Sequence, residues 1–228
     1  MIRSSVASGH TLRSLRLLLE AYAASELPEW DAFARTMHSV HLDPGDVLFS
    51  AGERHPYVYY LEEGLLKALM TNARGRTIIP FFSEEGEIFA SMPALAPEGV
   101  RLVAARHLHP RAEELGAALA GVTIHTMVAI EPTLVHRFDV RIIDRLAGRH
   151  PSWSRMSNAV TTLYAISLQA DAAALRNSAE QRYRDLLANH PDLIARISRR
   201  ELACFLNVTD VALGRIAKRV EAGAVESD

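Results

Sequence analysis

A single cysteine, Cys204, is all the thiol that this chain of 228 residues holds. It excludes an internal disulfide and a four-thiolate iron–sulfur cluster within one chain. Its neighbours Leu202 and Phe205 are the setting of an inert core thiol. No apolar run approaches the roughly 18 residues of a membrane span, so no membrane partner is expected. Charge of one sign is lacking too: 25 basic against 27 acidic residues leave a formal net charge of -2, which excludes a uniformly basic nucleic-acid coat. There is no GxSxG, no P-loop, no paired-cysteine zinc spacing and no HExxH. No catalytic residue, metal site or cofactor is therefore assigned, and an enzyme is not expected. The neighbouring acids Glu84, Glu85 and Glu87 read as water-facing. No repeat of solenoid length occurs.

What is present is enough apolar residue, 49%, to bury a full core, in a length that suits two domains. At the N-terminus Arg3, Arg13 and Arg16 precede the first acid, Glu20, a pattern with some transit-peptide character. The Leu17–Leu19 run is too short for a secretory segment, so the reading is an amphipathic leader helix and a cytoplasmic protein.

From Val40 to Phe82 short β-rich runs alternate with turn residues every 8 to 12 positions or so. The runs are Val40–Leu42, Val47–Phe49, Tyr57–Leu61, Leu65–Met70 and Thr77–Phe82, with Gly52, Gly64 and Gly75 where turns must be tight. The stretch Thr126–Phe138 closes the sheet. A β-sandwich or barrel follows.

The period then changes. Trp153, Met156, Val160, Leu163, Ser167, Ala170 and Ala174 recur every three or four residues between Pro151 and Asn177. This predicts one amphipathic helix of about seven turns, its first half able to pack on the β domain. The narrow seam of Val160, Leu163, Ser167, Ala170 and Ala174 suits pairing with a second copy, a homodimer. Ser178 then caps a helix over 182–189, which His190-Pro191 stops.

The C-terminal segment is the most informative. Ser198 followed by Glu201 is a capping box, Leu202, Phe205 and Leu206 form an apolar stripe, and Asn207 tolerates the left-handed turn that ends a helix. Thr209 can cap a second helix with Val211 or Ala212, Leu213, Ile216 and Val220 inward and Arg215, Lys218 and Arg219 outward. Two short helices on a tight turn make a helix-turn-helix, whose second helix can lie in a DNA major groove. An ordinary helical hairpin with a solvated basic face fits the same spacing. Between Arg176 and Arg219 nine basic residues stand against five acidic ones, a local excess that suits phosphate.

In this order the parts resemble the Crp/Fnr family of bacterial transcription regulators. Pro44-Gly45-Asp46-Val47-Leu48-Phe49 with Gly52-Glu53, Tyr59-Tyr60-Leu61 with Gly64, and Gly75-Arg76 are similar to its cyclic-nucleotide-binding-type roll. Gln181-Arg182-Tyr183, His190-Pro191 and the segment 201–219 are similar to its DNA-binding half. The resemblance implies an α+β fold in three parts. Residues 1–150 would be a double-stranded β-helix (jelly-roll) sensor domain with its leader helix. Residues 151–177 would be a long dimerisation helix, and 178–228 a winged-helix-like helix-turn-helix domain. Promoter DNA, a second copy, RNA polymerase and a small-molecule effector are the implied partners. Arg199, Arg200, Thr209, Asp210, Val211, Arg215, Lys218 and Arg219 would face DNA, with Arg215 forming a bidentate contact to guanine.

The sensor departs from the family pattern. Gly86-Glu87 matches the opening of a cyclic AMP cassette, but no Arg-Ser or Arg-Thr follows, and Thr123 stands where the phosphate arginine belongs. Arg101 is an alternative anchor within a long insertion, 90–123, whose Val100, Leu102, Val103 and Leu108 could fill the pocket. His107 and His109 in the same insertion read as a solvated loop rather than a haem or metal site. The expected function is therefore a DNA-binding regulator that answers to another small molecule or is constitutive. The alternatives are a cyclic-AMP-dependent regulator, or a module that kept the fold and lost DNA. The acid and valine at Asp210 and Val211 motivate the last, because family members often carry Arg and Glu there.

Overall fold

The computed structural model describes residues 3–6, 9–71, 75–96, 98 and 120–225. Arg101, His107, His109, Val100, Leu102, Val103 and Leu108 lie outside the described residues. The chain divides into two compact units, Met1–Met70 with Phe82–Thr161, and Thr71–Phe81 with Thr162–Asp228.

The first unit opens with β1 (Arg3–Val6), α1 (Gly9–Ala23) and α2 (Trp30–Ala34). Strands β2 (His38–Leu42), β3 (Val47–Phe49), β4 (Tyr57–Glu63) and β5 (Leu66–Thr71) follow. After β6 (Thr77–Ile78), which belongs to the second unit, come β7 (Phe82–Ser83), β8 (Ile88–Phe89) and the single turn α3 (Met92–Leu95). Strands β9 (Thr126–Ala129) and β10 (Thr133–Asp139), then α4 (Arg141–Ala147), lead to the long helix α5 (Pro151–Ala174). The strands form two antiparallel sheets, β1-β2-β10-β4-β8 and β3-β9-β5 with β7 on β5.

The mixed α and antiparallel β architecture agrees with the expected fold class. Two expected runs are each divided. Thr77–Phe82 is two short strands, because Pro80 brings no N–H to a ladder. Thr126–Phe138 turns at Glu131-Pro132 and sends β9 and β10 to different sheets. Gly64 adopts φ +97°, and a Cβ there would stand 2.6 Å from the Pro132 carbonyl oxygen, so only glycine lets this turn approach β10.

The first sheet is covered on both faces. Because successive strand residues point to opposite sides, Tyr60, His136 and Phe138 face one way and Tyr59, Leu61, Val135 and Arg137 the other. Tyr60 and Phe138 join the core formed with Leu15 and Leu19 of α1, Phe33 of α2, Ile142 and Leu146 of α4, and Trp153 and Met156 of α5. The leader helix is thus part of the core, its Leu15, Leu19 and Ala23 recurring every four residues on the buried side. Trp153 is fully buried and donates from Nε1 to the Pro28 carbonyl at 2.9 Å, so the start of α5 does pack on the β domain. Val135, Leu61 and Tyr59 fill the roll interior with Phe49, Leu66, Ala68 and Met127.

In the second unit, α6 (Ala179–Asn189), α7 (Pro191–Arg196), α8 (Arg199–Phe205) and α9 (Asp210–Val225) enclose Leu186, Leu193, Leu202, Leu206, Leu213 and Ile216. Helix α6 starts at Ala179 because Ser178 Oγ already accepts the Gln181 N–H at 3.1 Å. Among the described residues no strand lies between Ala179 and Val225. From Thr161 to Ser178 every residue is exposed, including Leu163, Tyr164, Ile166, Leu168 and Leu175.

Candidate nucleic-acid interface and the interior of the roll

The α8–α9 hairpin is built by local backbone chemistry. Glu201 N–H donates to Ser198 Oγ at 3.2 Å while Ser198 N–H donates to the Glu201 carboxylate at 2.7 Å, a complete capping box. Asn207 takes φ 55°, and the Val208 N–H returns to the Ala203 carbonyl at 3.0 Å, closing α8. Thr209 Oγ1 accepts the Ala212 N–H at 3.2 Å and starts α9. The buttress comes from α6: Arg182 Nη2 donates to the Leu206 carbonyl at 2.7 Å.

Helix α9 buries Leu213 and Ile216 and turns Val211, Arg215, Lys218 and Arg219 outward. Val211 is 67% exposed on the first turn, one helical turn from Arg215 on the same face. Arg200, Thr209 and Asp210 are exposed as well. Two of the expected phosphate contacts are already engaged. Arg199 lies across the first turn of α9, its Nη2 3.4 Å from the Asp210 carbonyl, over Gly214, where a Cβ would collide with the guanidinium. Arg219 pairs with Glu180 of α6 at 2.7 Å, and Arg184 meets the same carboxylate at 3.2 Å. The Arg219 and Arg184 hydrogen bonds hold the Glu180 carboxyl below the usual carboxylate range. A shallow depression between Val211, Gly214, Arg215 and Lys218 remains open beside these groups.

In the roll, Gly86 has φ +87° and sits with Glu87, both exposed, in the turn that leads into β8. Their backbone pairs with Leu61 through Gly86 N–H to Leu61 O at 2.8 Å and Leu61 N–H to Glu87 O at 2.9 Å. The residue entering α3 is Ser91, 1% exposed, whose Oγ accepts the Ile124 N–H at 3.4 Å. Thr123, also 1% exposed, is consumed by the 50–53 turn: its Oγ1 accepts from Glu53 N–H at 3.0 Å and donates to the Ser50 carbonyl.

A ring cluster occupies the interior. Phe49 touches His55, Tyr59 and His125 with centroids 4.6, 5.9 and 5.4 Å away, and Tyr59 stacks on Phe89 at 5.2 Å. His55 Nε2 lies 2.6 Å from the Tyr59 hydroxyl. Burial lowers the His55 and His125 imidazoles, the latter to about 4, and raises the Tyr59 hydroxyl. Arg137 of β10 reaches the edge of this cluster, with its guanidinium carbon 4.7 Å from the centre of the Tyr57 ring. Reasoning from sequence missed this cluster, because its members come from four strands and their turns. The period-2 pattern around Tyr57, Tyr59 and Arg137 was the available signal.

On the opposite face His136 Nδ1 lies 2.9 Å from Ser39 Oγ, and His136 Nε2 bonds the Glu62 carboxylate. This is the order of a nucleophilic triad, yet Ser39 is 3% and His136 1% exposed, which keeps the hydroxyl from any substrate. Three strands are tied together by it instead.

Residues 39–109 match the family model of the cyclic nucleotide-binding domain. Among solved structures, the c-di-GMP responsive global regulator CLP of Xanthomonas campestris aligns with TM-score 0.61 at 15% identity, over 85% of this chain and 91% of its own. FixK2 from Bradyrhizobium japonicum gives TM-score 0.59 at 16% identity, over 82% and 85%. TTHB099, a CRP-family transcriptional regulator from Thermus thermophilus, gives 0.52 at 16% identity, over 81% and 85%. The fold is that of the Crp/Fnr regulators. No curated protein sequence matches the chain. Among the described residues no helix is long and apolar enough to cross a membrane.

Proposed function

We propose that the chain is a cytoplasmic, sequence-specific DNA-binding transcriptional regulator that acts as a homodimer on promoter DNA, with RNA polymerase as its downstream partner. The observation that carries this reading is the outward face of α9. Val211, Arg215 and Lys218 stand exposed on a helix held rigidly by a capping box, a left-handed turn and the Arg182 buttress. Arg215 is the base-reading residue, and Lys218 and Arg200 hold phosphates. The exposed apolar residues of α5 support the dimer, since a lone helix gains nothing by leaving Leu163 and Ile166 in water. Two copies related by a two-fold axis then present two α9 helices to a palindromic site.

The sensor reading is that cyclic AMP is not the signal. Glu87 carries the wrong charge to hold a phosphate and the Thr123 hydroxyl is spent on the 50–53 turn, so neither offers an anchor to a cyclic phosphate. The Xanthomonas campestris regulator is described as responsive to c-di-GMP, so rolls of this fold serve other ligands. Fluorescence anisotropy on a duplex from the promoter of its own operon, with and without cyclic AMP, tests both parts. Salt-dependent, saturable binding that cyclic AMP leaves unchanged supports the reading. Absence of binding at low salt overturns the regulator, and binding only with cyclic AMP overturns the sensor assignment.

A further inference from the structure

One unmet polar demand in the first unit is the Nε–H of Arg137, a half-buried residue of β10. Register places it between His38 of β2 and Tyr59 of β4, and its alternation with Val135 turns it toward the roll interior. Tyr57, two residues from Tyr59 on the same face, supplies a ring beneath the cation at 4.7 Å. Tyr59 is the register partner of Arg137 on the neighbouring strand. The Tyr59 hydroxyl in turn lies 2.6 Å from His55 Nε2. Every partner so far is neutral. Arg137 Nε is buried without a hydrogen-bond partner, and among the described residues no carboxylate forms an ion pair with it. Glu53 is felt by His55 and Tyr59 only at longer range.

A buried N–H without an acceptor calls for a missing partner. An arginine's planar fork matches the two oxygens of a carboxylate or phosphate. The aromatic face of Tyr57 beside the guanidinium suits an organic body rather than a bare ion. We propose that Arg137, with Tyr57 beneath it and the Tyr59–His55 pair beside it, anchors the oxyanion group of a small organic effector at the inner face of the roll. The assignment deepens the reading of the first unit as a sensor and rests on it.

The test uses the full-length protein without DNA, so its failure is separate from any failure of promoter binding. The Nε–H signal of Arg137, assigned with Arg137→Lys, is followed by proton–nitrogen NMR during titration with sodium phosphate and with sodium benzoate at constant ionic strength. Thermal unfolding is recorded alongside for wild type and Arg137→Gln. The expected result is a saturable shift of that signal with at least one anion, a rise in melting temperature, and about tenfold weaker response in Arg137→Gln. Preference for benzoate identifies a carboxylate ligand and preference for phosphate a phosphorylated one. A signal that neither anion moves, or an equal melting response in wild type and Arg137→Gln, overturns the assignment. Should Arg137→Gln fail to fold, the wild-type NMR titration alone decides.

Discussion

Arg182 on α6 holds the turn of the α8–α9 hairpin through one hydrogen bond, Nη2 to the carbonyl of Leu206 at 2.7 Å. Leu206 is fully buried and ends α8, so its carbonyl has no water to turn to. Replacing Arg182 by Met keeps the aliphatic stem and removes the donor. The expected cost is about 1–3 kcal/mol, the usual penalty for stranding a buried acceptor. Urea unfolding of the second unit measures it. Amide exchange should rise first at Asn207 and Val208, which follow the carbonyl that has lost its donor.

Arg215 and Lys218 lie on one face of α9 yet should fail differently. Arg215→Ala should cost about 1–3 kcal/mol on the selected site and relax the preference at one base pair per half-site. Lys218→Ala should weaken all duplexes alike and flatten the salt slope by about one unit. Anisotropy titrations on specific and random duplexes at several salt concentrations separate the two. Arg219 is expected to act differently again, because its pairing with Glu180 uses its charge inside the domain.

Leu163 is the largest aliphatic group on the expected seam and is 47% exposed. Leu163→Glu would set two carboxylates against each other across a two-fold axis, which should split the dimer. Sedimentation velocity at micromolar concentration checks this. The expected species are a wild-type dimer and a mutant monomer, while a wild-type monomer would make the stripe an ordinary exposed face.

His125 is 4% exposed, and burial holds its imidazole at about 4 against an ordinary 6.5. The folded state therefore keeps His125 neutral while the unfolded chain takes up a proton as pH falls below 6.5. Stability should be complete above that pH and decline toward pH 4, by roughly 3 kcal/mol in all. His55, also lowered by burial, acts in the same sense. His125→Gln should flatten the decline, which thermal unfolding between pH 7 and 4 would show. An unchanged pH slope in the variant removes His125 as its source.

The C-terminal hairpin was legible because its determinants are local: Ser198, Glu201, Asn207 and Thr209 each act on backbone within a few residues. The same holds for Gly64 and for Trp153 and Met156 at helical spacing. Contacts made by strand pairing were not. Arg137 meets Tyr57 and Tyr59 across some eighty positions, and Glu180 meets Arg219 across thirty-nine. The pair Gly86-Glu87 folds as an exposed turn ahead of β8. Helix α7 went unread because His190-Pro191 signals a stop, while Pro191 also begins the next helix at its first position.

Whether α9 reads DNA as one of a pair is tested most directly by selection from a random duplex library with the full-length protein. The expected outcome is enrichment of an inverted repeat whose half-site centres lie about one helical turn, 10–10.5 base pairs, apart. Each half-site should carry a guanine whose preference disappears in Arg215→Ala, beside a thymine whose methyl group meets Val211. Replacing that thymine by deoxyuridine should then weaken wild type and leave Val211→Ala unaffected. No enriched sequence at low salt, or an enriched motif indifferent to Arg215 and Val211, would contradict a paired, base-reading α9.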